Sequence, residues 1–151
     1  MKRRALVTGA TGQTGSYLCE LLLEKDYEVC ILVRRSSSTS HQMWRLTSCL
    51  DRLIVLEGDL LDSGSIQNAV RQSSPHEVYN LAAQSHVGTS FKEPELTANV
   101  TGMGALRVFE AVRVIAPTAR VYQASTSELY GESKLQPLNE FSPFAPNSPY
   151  A

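Results

Sequence analysis

The sequence contains no apolar run near the roughly 20 residues needed to cross a bilayer, so no membrane-spanning helix is expected. It has no excess of either charge. The formal net charge is −1, which leaves no basic footprint for nucleic acid. Cysteine is scarce: Cys19, Cys30 and Cys49 are odd in number and lack C-x-x-C spacing, which argues against a disulfide framework. Cys19 and Cys30 sit in apolar patterns and read as packed thiols, which suits a reducing, cytoplasmic setting. The three histidines show no metal-ligand spacing, so no metal is expected. His41 reads as surface and His76 as the opening of a strand. The basic start, Met1-Lys-Arg-Arg, is followed by an apolar stretch too short for a secretory leader. There is no internal repeat, and 151 residues suggest one domain, 1–151.

What is present begins with Ala5-Leu-Val-Thr-Gly-Ala-Thr-Gly-Gln-Thr-Gly15. Ala5 to Val7 reads as a buried strand. Leu18, Leu21 and Leu22 fall at helical spacing, so a helix begins near Gln13. A strand, a glycine turn and a helix in that order suggest a dinucleotide site. Gly9 permits the tight turn, Gly12 lets the backbone approach a pyrophosphate, and Gly15 lets the helix pack closely. Ala10, Thr11, Gln13 and Thr14 complete the turn, and the helix start faces the phosphates. The G-x-x-G-x-x-G spacing is that of a short-chain dehydrogenase type of fold. The competing reading is a plain glycine turn in an α/β protein.

The rest of the chain alternates strands and helices. Strands are expected at Glu28 to Val33, Leu53 to Leu56, Glu77 to Ala83 and Ala119 to Ser125. A short irregular helix is expected over His41 to Leu50, and a second helix, capped by Asp62 or Ser63, runs to about Gln72. Gln84 to Pro94 reads as loop and Glu95 to Ile115 as one long helix. That helix is apolar on two stripes, so one side should meet the sheet and the other a partner subunit. The proline-rich tail to Tyr150 reads as loop. The pattern implies a doubly wound parallel sheet with right-handed crossovers, in the order 3-2-1-4-5. Ligand then lies at the carboxyl ends of the strands. Gly9 to Gly15, Arg34-Arg35, Asp59-Leu60, Ala82 to Ser85 and Ser125 to Glu128 all fall there.

An NAD site usually carries an acidic residue after the second strand. This chain has Arg34 and Arg35, and no acid between Glu28 and Asp51. Guanidinium grips a 2′-phosphate that a carboxylate would repel, so NADP is favoured, with Ser36 to Ser38 as further donors. Alternatively the arginines are solvated surface charges. Asp59 and Leu60 would flank the adenine, or Asp59 is only a turn residue. In Tyr122-Gln-Ala-Ser-Thr-Ser-Glu-Leu-Tyr-Gly131, Thr126 and Glu128 share a side if the chain is extended there. A hydroxyl beside a carboxylate suits proton transfer next to a carbonyl. The bland alternative is a capped turn. His86, beside Ser85, is a candidate substrate contact.

These stretches, with Leu21 to Val29, Glu77 to Val87 and Ser148-Pro-Tyr-Ala151, resemble the extended short-chain dehydrogenase/reductases and, among them, the GDP-mannose 4,6-dehydratases. The resemblance spans the whole chain and implies a Rossmann-like fold. It implies that Tyr150 is the tyrosine of a Tyr-x-x-x-Lys motif and takes the proton of the sugar 4-hydroxyl. Thr126 hydrogen-bonds that oxygen. Glu128 takes the C5 proton and helps expel the 6-hydroxyl as water. Leu81, Ala82, Ala83, Gln84, Ser85 and Tyr150 would line the nicotinamide side of NADP, and Ser85, His86 and Ser125 would meet GDP-mannose. A homo-oligomer, dimer or tetramer, is implied at full length.

The motif lysine would fall beyond Ala151, as would the later strands and the sugar-nucleotide domain. The expectation is therefore an amino-terminal part, inactive alone. Departures from the family pattern are Thr14 for Asp, Asp26 for Gly, Leu96 for Tyr and Asn147 for Arg. The alternatives are another sugar-nucleotide epimerase or reductase, or a non-catalytic NADP-binding module. Glu128 discriminates, because C4 epimerisation needs no base at C5.

Overall fold

The computed structural model describes residues 2–34, 43–132 and 137–151. Five short apolar runs form one all-parallel sheet: β1 (Arg4–Thr8), β2 (Glu28–Val33), β3 (Leu53–Glu57), β4 (Glu77–Asn80) and β5 (Arg120–Gln123). Their order is β3-β2-β1-β4-β5, as the alternation of elements requires. Thr8 lies opposite Leu32 on one side and Asn80 on the other, and Asn80 lies opposite Gln123. The carboxyl ends of the central strands are thus level.

Helices cover both faces. Leu6, Cys30, Leu32, Leu56 and Val78 pack on one face against Ile66, Ala69 and Val70 of α2 (Ser63–Ser73) and Val108, Ala111 and Val112 of α5 (Gly104–Ile115). Ala5, Val7, Val29, Ile31 and Val33 pack on the other against Cys19 and Leu22 of α1 (Gln13–Glu24) and against Leu46 and Cys49. Continuous apolar strands are what a sheet covered on both faces demands.

Several boundaries differ from expectation, each for a local reason. The buried stripe of α1 is Gly15, Ser16, Cys19 and Leu22, while Leu21 is 46% exposed. The stripe is set by the glycine turn, whose backbone admits only a glycine at 15. Strand β4 stops at Asn80, not Ala83, because the amide of Ala82 turns to the Thr8 hydroxyl at 3.1 Å. The expected loop 84–94 holds α3 (Val87–Lys92), capped by His86, whose Nδ1 accepts from the Thr89 amide at 3.0 Å. The expected long helix is wound in three parts: α4 (Pro94–Thr97), a π-wound segment (Ala98–Met103) and α5. The widened winding leaves the Asn99 carbonyl to the Arg107 guanidinium at 3.0 Å. Asp62 is the cap of α2, accepting from Gly64. Residues 44–46 and 50–52 form short 3-10 turns, and the part of the expected helix before Met43 lies outside the described residues.

One side of α5 is buried as expected. On the other, Leu106 and Phe109 are 53% and 40% exposed, beside Met103 at 48%. Among the described residues no helix is long and apolar enough to cross a membrane.

All three thiols are buried and unpaired. Burial, aided by Cys49 and Glu20, pushes Cys19 up to about 12, and burial pushes Cys30 up to about 11. Cys49 is raised too, chiefly by burial. Only the thiolate reacts. In mildly alkaline buffer, iodoacetamide should therefore leave the native chain unmodified while adding three groups after unfolding, read by mass. Rapid labelling of the native chain would show a more open core.

Candidate active site

Each strand ends at the same sheet edge, and each carries a chemically distinct segment there. After β1, Gly9 turns the chain with φ +71; a Cβ on it would lie 2.7 Å from the Ala82 amide nitrogen. The Gly12 amide closes the turn on the Gly9 carbonyl at 3.0 Å. A Cβ at Gly15 would overlap the Gly9 carbonyl oxygen and lie 2.7 Å from Ala10 Cα. Gly15 thus packs the helix on the turn's own backbone, not on the strand. Gly12, the residue before α1, provides no side-chain cap, and the first turn holds no acid. Gly12, Gln13 and Thr14 are exposed, Thr11 is half-buried and Ala10 is buried. The first amides of α1, with the helix dipole behind them, are thus left for an anion.

A buried polar chain ties this turn to its neighbours. The Thr8 hydroxyl accepts from Ala82 N and donates to Asn80 Oδ1 at 2.6 Å; Asn80 Nδ2 donates to Gln123 Oε1 at 2.7 Å. Thr8 and Asn80 are each 1% exposed. None of the three was singled out from sequence. The signal was there: β1, β4 and β5 each end on a polar residue.

The loop after β4 is held from within. Gln84 Nε2 donates to Thr97 Oγ1 at 2.9 Å, and its Oε1 accepts from the His86 amide at 2.8 Å. The Gln84 side chain is therefore committed to the loop, and the amide of Gln84 bonds Thr101 in the π-wound segment. Because Nδ1 of His86 is an acceptor, its ring proton sits on Nε2. Leu81 and Ala82 are half-buried; Ala83, Ser85 and His86 are exposed.

Beyond β2, Arg34 is exposed; Arg35 and the serines at 36–38 lie outside the described residues. Beyond β3, Asp59 Oδ1 accepts from the Leu61 amide at 2.9 Å, so one carboxylate oxygen is occupied in a turn. Leu60 points into the core, 5% exposed, and its carbonyl accepts from Arg107. Sequence reasoning missed Arg45, which stacks on Trp44 at 4.1 Å and reaches the Thr11 carbonyl at 3.5 Å. An open cavity of about 450 Å³ lies between this pair and Gln13, Ser16, Tyr17 and Glu20.

Beyond β5, Ser125 takes φ +54. The chain is then not extended from Thr126 to Glu128 as supposed. Ser127–Tyr130 is a 3-10 turn, and Thr126 Oγ1 accepts from the Glu128 amide at 3.1 Å. A one-turn cap satisfies amides that an extended chain would leave open. It still sets Thr126 and Glu128 side by side, and it spends only a lone pair of Thr126, leaving the hydroxyl proton to donate. The tail docks on this turn. The Ala145 amide bonds the Leu129 carbonyl at 2.8 Å, and Phe144 meets Tyr130 edge-on at 5.3 Å between centroids. Tyr150, half-buried, stands five residues past that anchor, and Ser148 Oγ accepts from the Ala151 amide.

Residues 6–151 match the family described as GDP-mannose 4,6 dehydratase. The chain belongs to that family. It is 48% identical over 158 residues to the GDP-mannose 4,6-dehydratase of Vibrio cholerae, covering all of this chain and 42% of the relative. It is 47% identical to the human GDP-mannose 4,6 dehydratase, covering 97% of this chain and 41% of the relative. The chain thus spans less than half the length of these relatives. Among solved structures it resembles UDP-glucose 4-epimerase of Thermus thermophilus in complex with NAD, with a TM-score of 0.84 and 31% identity, over 97% of this chain and 46% of that one. Asp26, where the resemblance leads one to expect glycine, takes a φ of +61, a conformation glycine adopts without steric cost.

Proposed function

We propose that this chain is the cofactor-binding and catalytic-turn part of an NADP-dependent GDP-mannose 4,6-dehydratase, converting GDP-mannose to GDP-4-keto-6-deoxymannose and water. The observation that carries this reading is the placement of the Thr126–Glu128 turn at the same sheet edge as the glycine turn. The glycine turn fits a dinucleotide: a Cβ at Gly12 would meet only the Gly9 carbonyl, at 3.3 Å, so the outer side of the turn is open, and no side chain caps the α1 amides. The free amides of Gln13 and Thr14 hold the pyrophosphate, Arg34 and Arg35 the 2′-phosphate, and Leu81 to Ser85 flank the nicotinamide. Held there, the cofactor would supply a hydride store between oxidation at sugar C4 and reduction at C6. Tyr150 takes the proton of the 4-hydroxyl, with the free proton of Thr126 holding that oxygen. The ketone acidifies the C5 proton, which the Glu128 carboxylate removes and passes to the departing 6-hydroxyl, so that it leaves as water; C5 then takes up the proton held by Tyr150 as hydride returns to C6. Ser85, His86 and Ser125 border the sugar.

The exposed stripe of Met103, Leu106 and Phe109 suits a second subunit, so the full-length enzyme is a homo-oligomer, and the unpaired thiols suit a cytoplasmic setting. The 151 residues alone bind cofactor without turnover, since they span less than half the length of the dehydratases they match. An epimerase is the competing reading, and Glu128 disfavours it. A chimera joining this chain to the remaining part of the Vibrio cholerae relative should dehydrate GDP-mannose and leave UDP- and dTDP-hexoses unchanged, followed by product mass. Epimerised product without loss of water would overturn the assignment.

A further inference from the structure

The proposed catalytic turn follows β5, which is four residues long and pairs with β4 alone among the described residues. Beyond it Ser125 takes a left-handed φ of +54, which persists only where the surroundings over-determine it. The last backbone bond to the sheet is from Ala124 N to the Asn80 carbonyl at 3.1 Å. Past that point the turn is held by its own bonds, Glu128 N to Thr126 Oγ1 and Leu129 N to the Thr126 carbonyl at 3.4 Å, and by the tail, whose Ala145 amide bonds the Leu129 carbonyl at 2.8 Å.

Asn80 bonds this strand end a second time, through its side chain. It is 1% exposed, and both ends of its amide are used: Oδ1 by Thr8 at 2.6 Å, Nδ2 by Gln123 at 2.7 Å. A buried amide left unpaired is costly, so Asn80 dictates where Gln123 sits. The same Thr8 hydroxyl takes the Ala82 amide beside Gly9. One chain of bonds therefore runs from the glycine turn, across β4, to a point two residues before Ser125.

We infer that Asn80 and Gln123 are positioning residues: their amide pair sets the Thr126–Glu128 turn against the cofactor turn. The inference rests on the catalytic roles proposed above for that turn. It is tested first on the chain itself, by amide hydrogen exchange. Gln123→Leu removes the acceptor at a half-buried site and should still fold. Exchange at Ala124 and Glu128 should quicken about three- to tenfold, the loss expected for one net hydrogen bond, while Val7 and Ile31 amides are unchanged. Gln123→Glu retains an acceptor for Asn80 Nδ2 and should restore protection. Asn80→Leu should quicken the same amides, and the double variant should add nothing further. If Asn80→Leu does not fold, the two Gln123 variants decide alone. Unchanged exchange at Ala124, or a uniform loss across the sheet, overturns the inference.

In the chimera, Gln123→Leu should lower kcat about tenfold or more, with KM for GDP-mannose and cofactor affinity unchanged. Gln123→Glu should recover most of the rate. Equal losses in kcat and cofactor affinity would indicate a merely structural role and overturn the inference. If the unsubstituted chimera leaves GDP-mannose intact, the functional reading fails, and the exchange experiment still decides whether the pair positions the turn.

Discussion

Glu128→Gln in the chimera should lower the rate of product formation by about 10²- to 10⁴-fold, the usual contribution of a positioned general base. The substitution isolates the chemistry well. Thr126 caps the turn by accepting from the backbone amide of Glu128, so the glutamine variant keeps that bond and its shape. The Glu128 side chain is exposed in this chain and has no hydrogen-bond partner among the described residues. Its loss should leave stability within about 0.5 kcal/mol, as for other surface changes. Oxidation at C4 needs Tyr150 and Thr126 but not Glu128, so absorbance of reduced nicotinamide should still appear in a single turnover. A rate within a few-fold of the parent would return Glu128 to the status of a turn residue.

Gly15→Ala should be the most damaging single substitution in the glycine turn. Its Cβ would overlap the Gly9 carbonyl oxygen and press on Ala10 Cα at 2.7 Å. Both obstacles are backbone, so no side chain can swing away. Alanine gains up to about 1 kcal/mol of helix propensity over glycine, but forcing a methyl into packed backbone costs about 1–3 kcal/mol or more. The net expectation is a loss of stability with loss of dinucleotide binding, because relief of the clash must lift α1 off the turn. Gly102→Ala is the control: nothing lies within 4 Å of its Cβ, so it should be neutral or slightly stabilising. Urea unfolding of the two variants separates them. Equal midpoints would show that α1 packs less tightly on the turn than described.

The sheet and its order were legible because β1, β2 and β3 are short apolar runs separated by helical patterns, and right-handed crossovers leave little topological choice. Strand ends were not legible where a side chain replaces the ladder. The Thr8 hydroxyl captures Ala82 and ends β4 three residues early. Helix α3 was hidden because histidine, not Ser, Thr, Asp or Asn, caps it. The π winding at Ala98–Met103 carries no local signature; its bonds run from Arg107 to Asn99 eight residues back and from Thr101 to Gln84 seventeen residues back. At the candidate site, the glycines announced themselves by spacing. Asn80, Gln123 and Arg45 did not, since their roles arise from neighbours 43 residues apart along the chain in one case and 34 in the other. The pairing of Thr126 with Glu128 was inferred from an extended chain and arises instead from a capped turn.

Calorimetric titration of the folded chain with NADP and with NAD bears most directly on the dinucleotide site. NADP should bind at one site and about 10- to 100-fold more tightly than NAD, as charge-assisted bonds to a phosphate imply, and Arg34→Ala should erode that preference. Equal affinity for the two, or no heat with either, would contradict it.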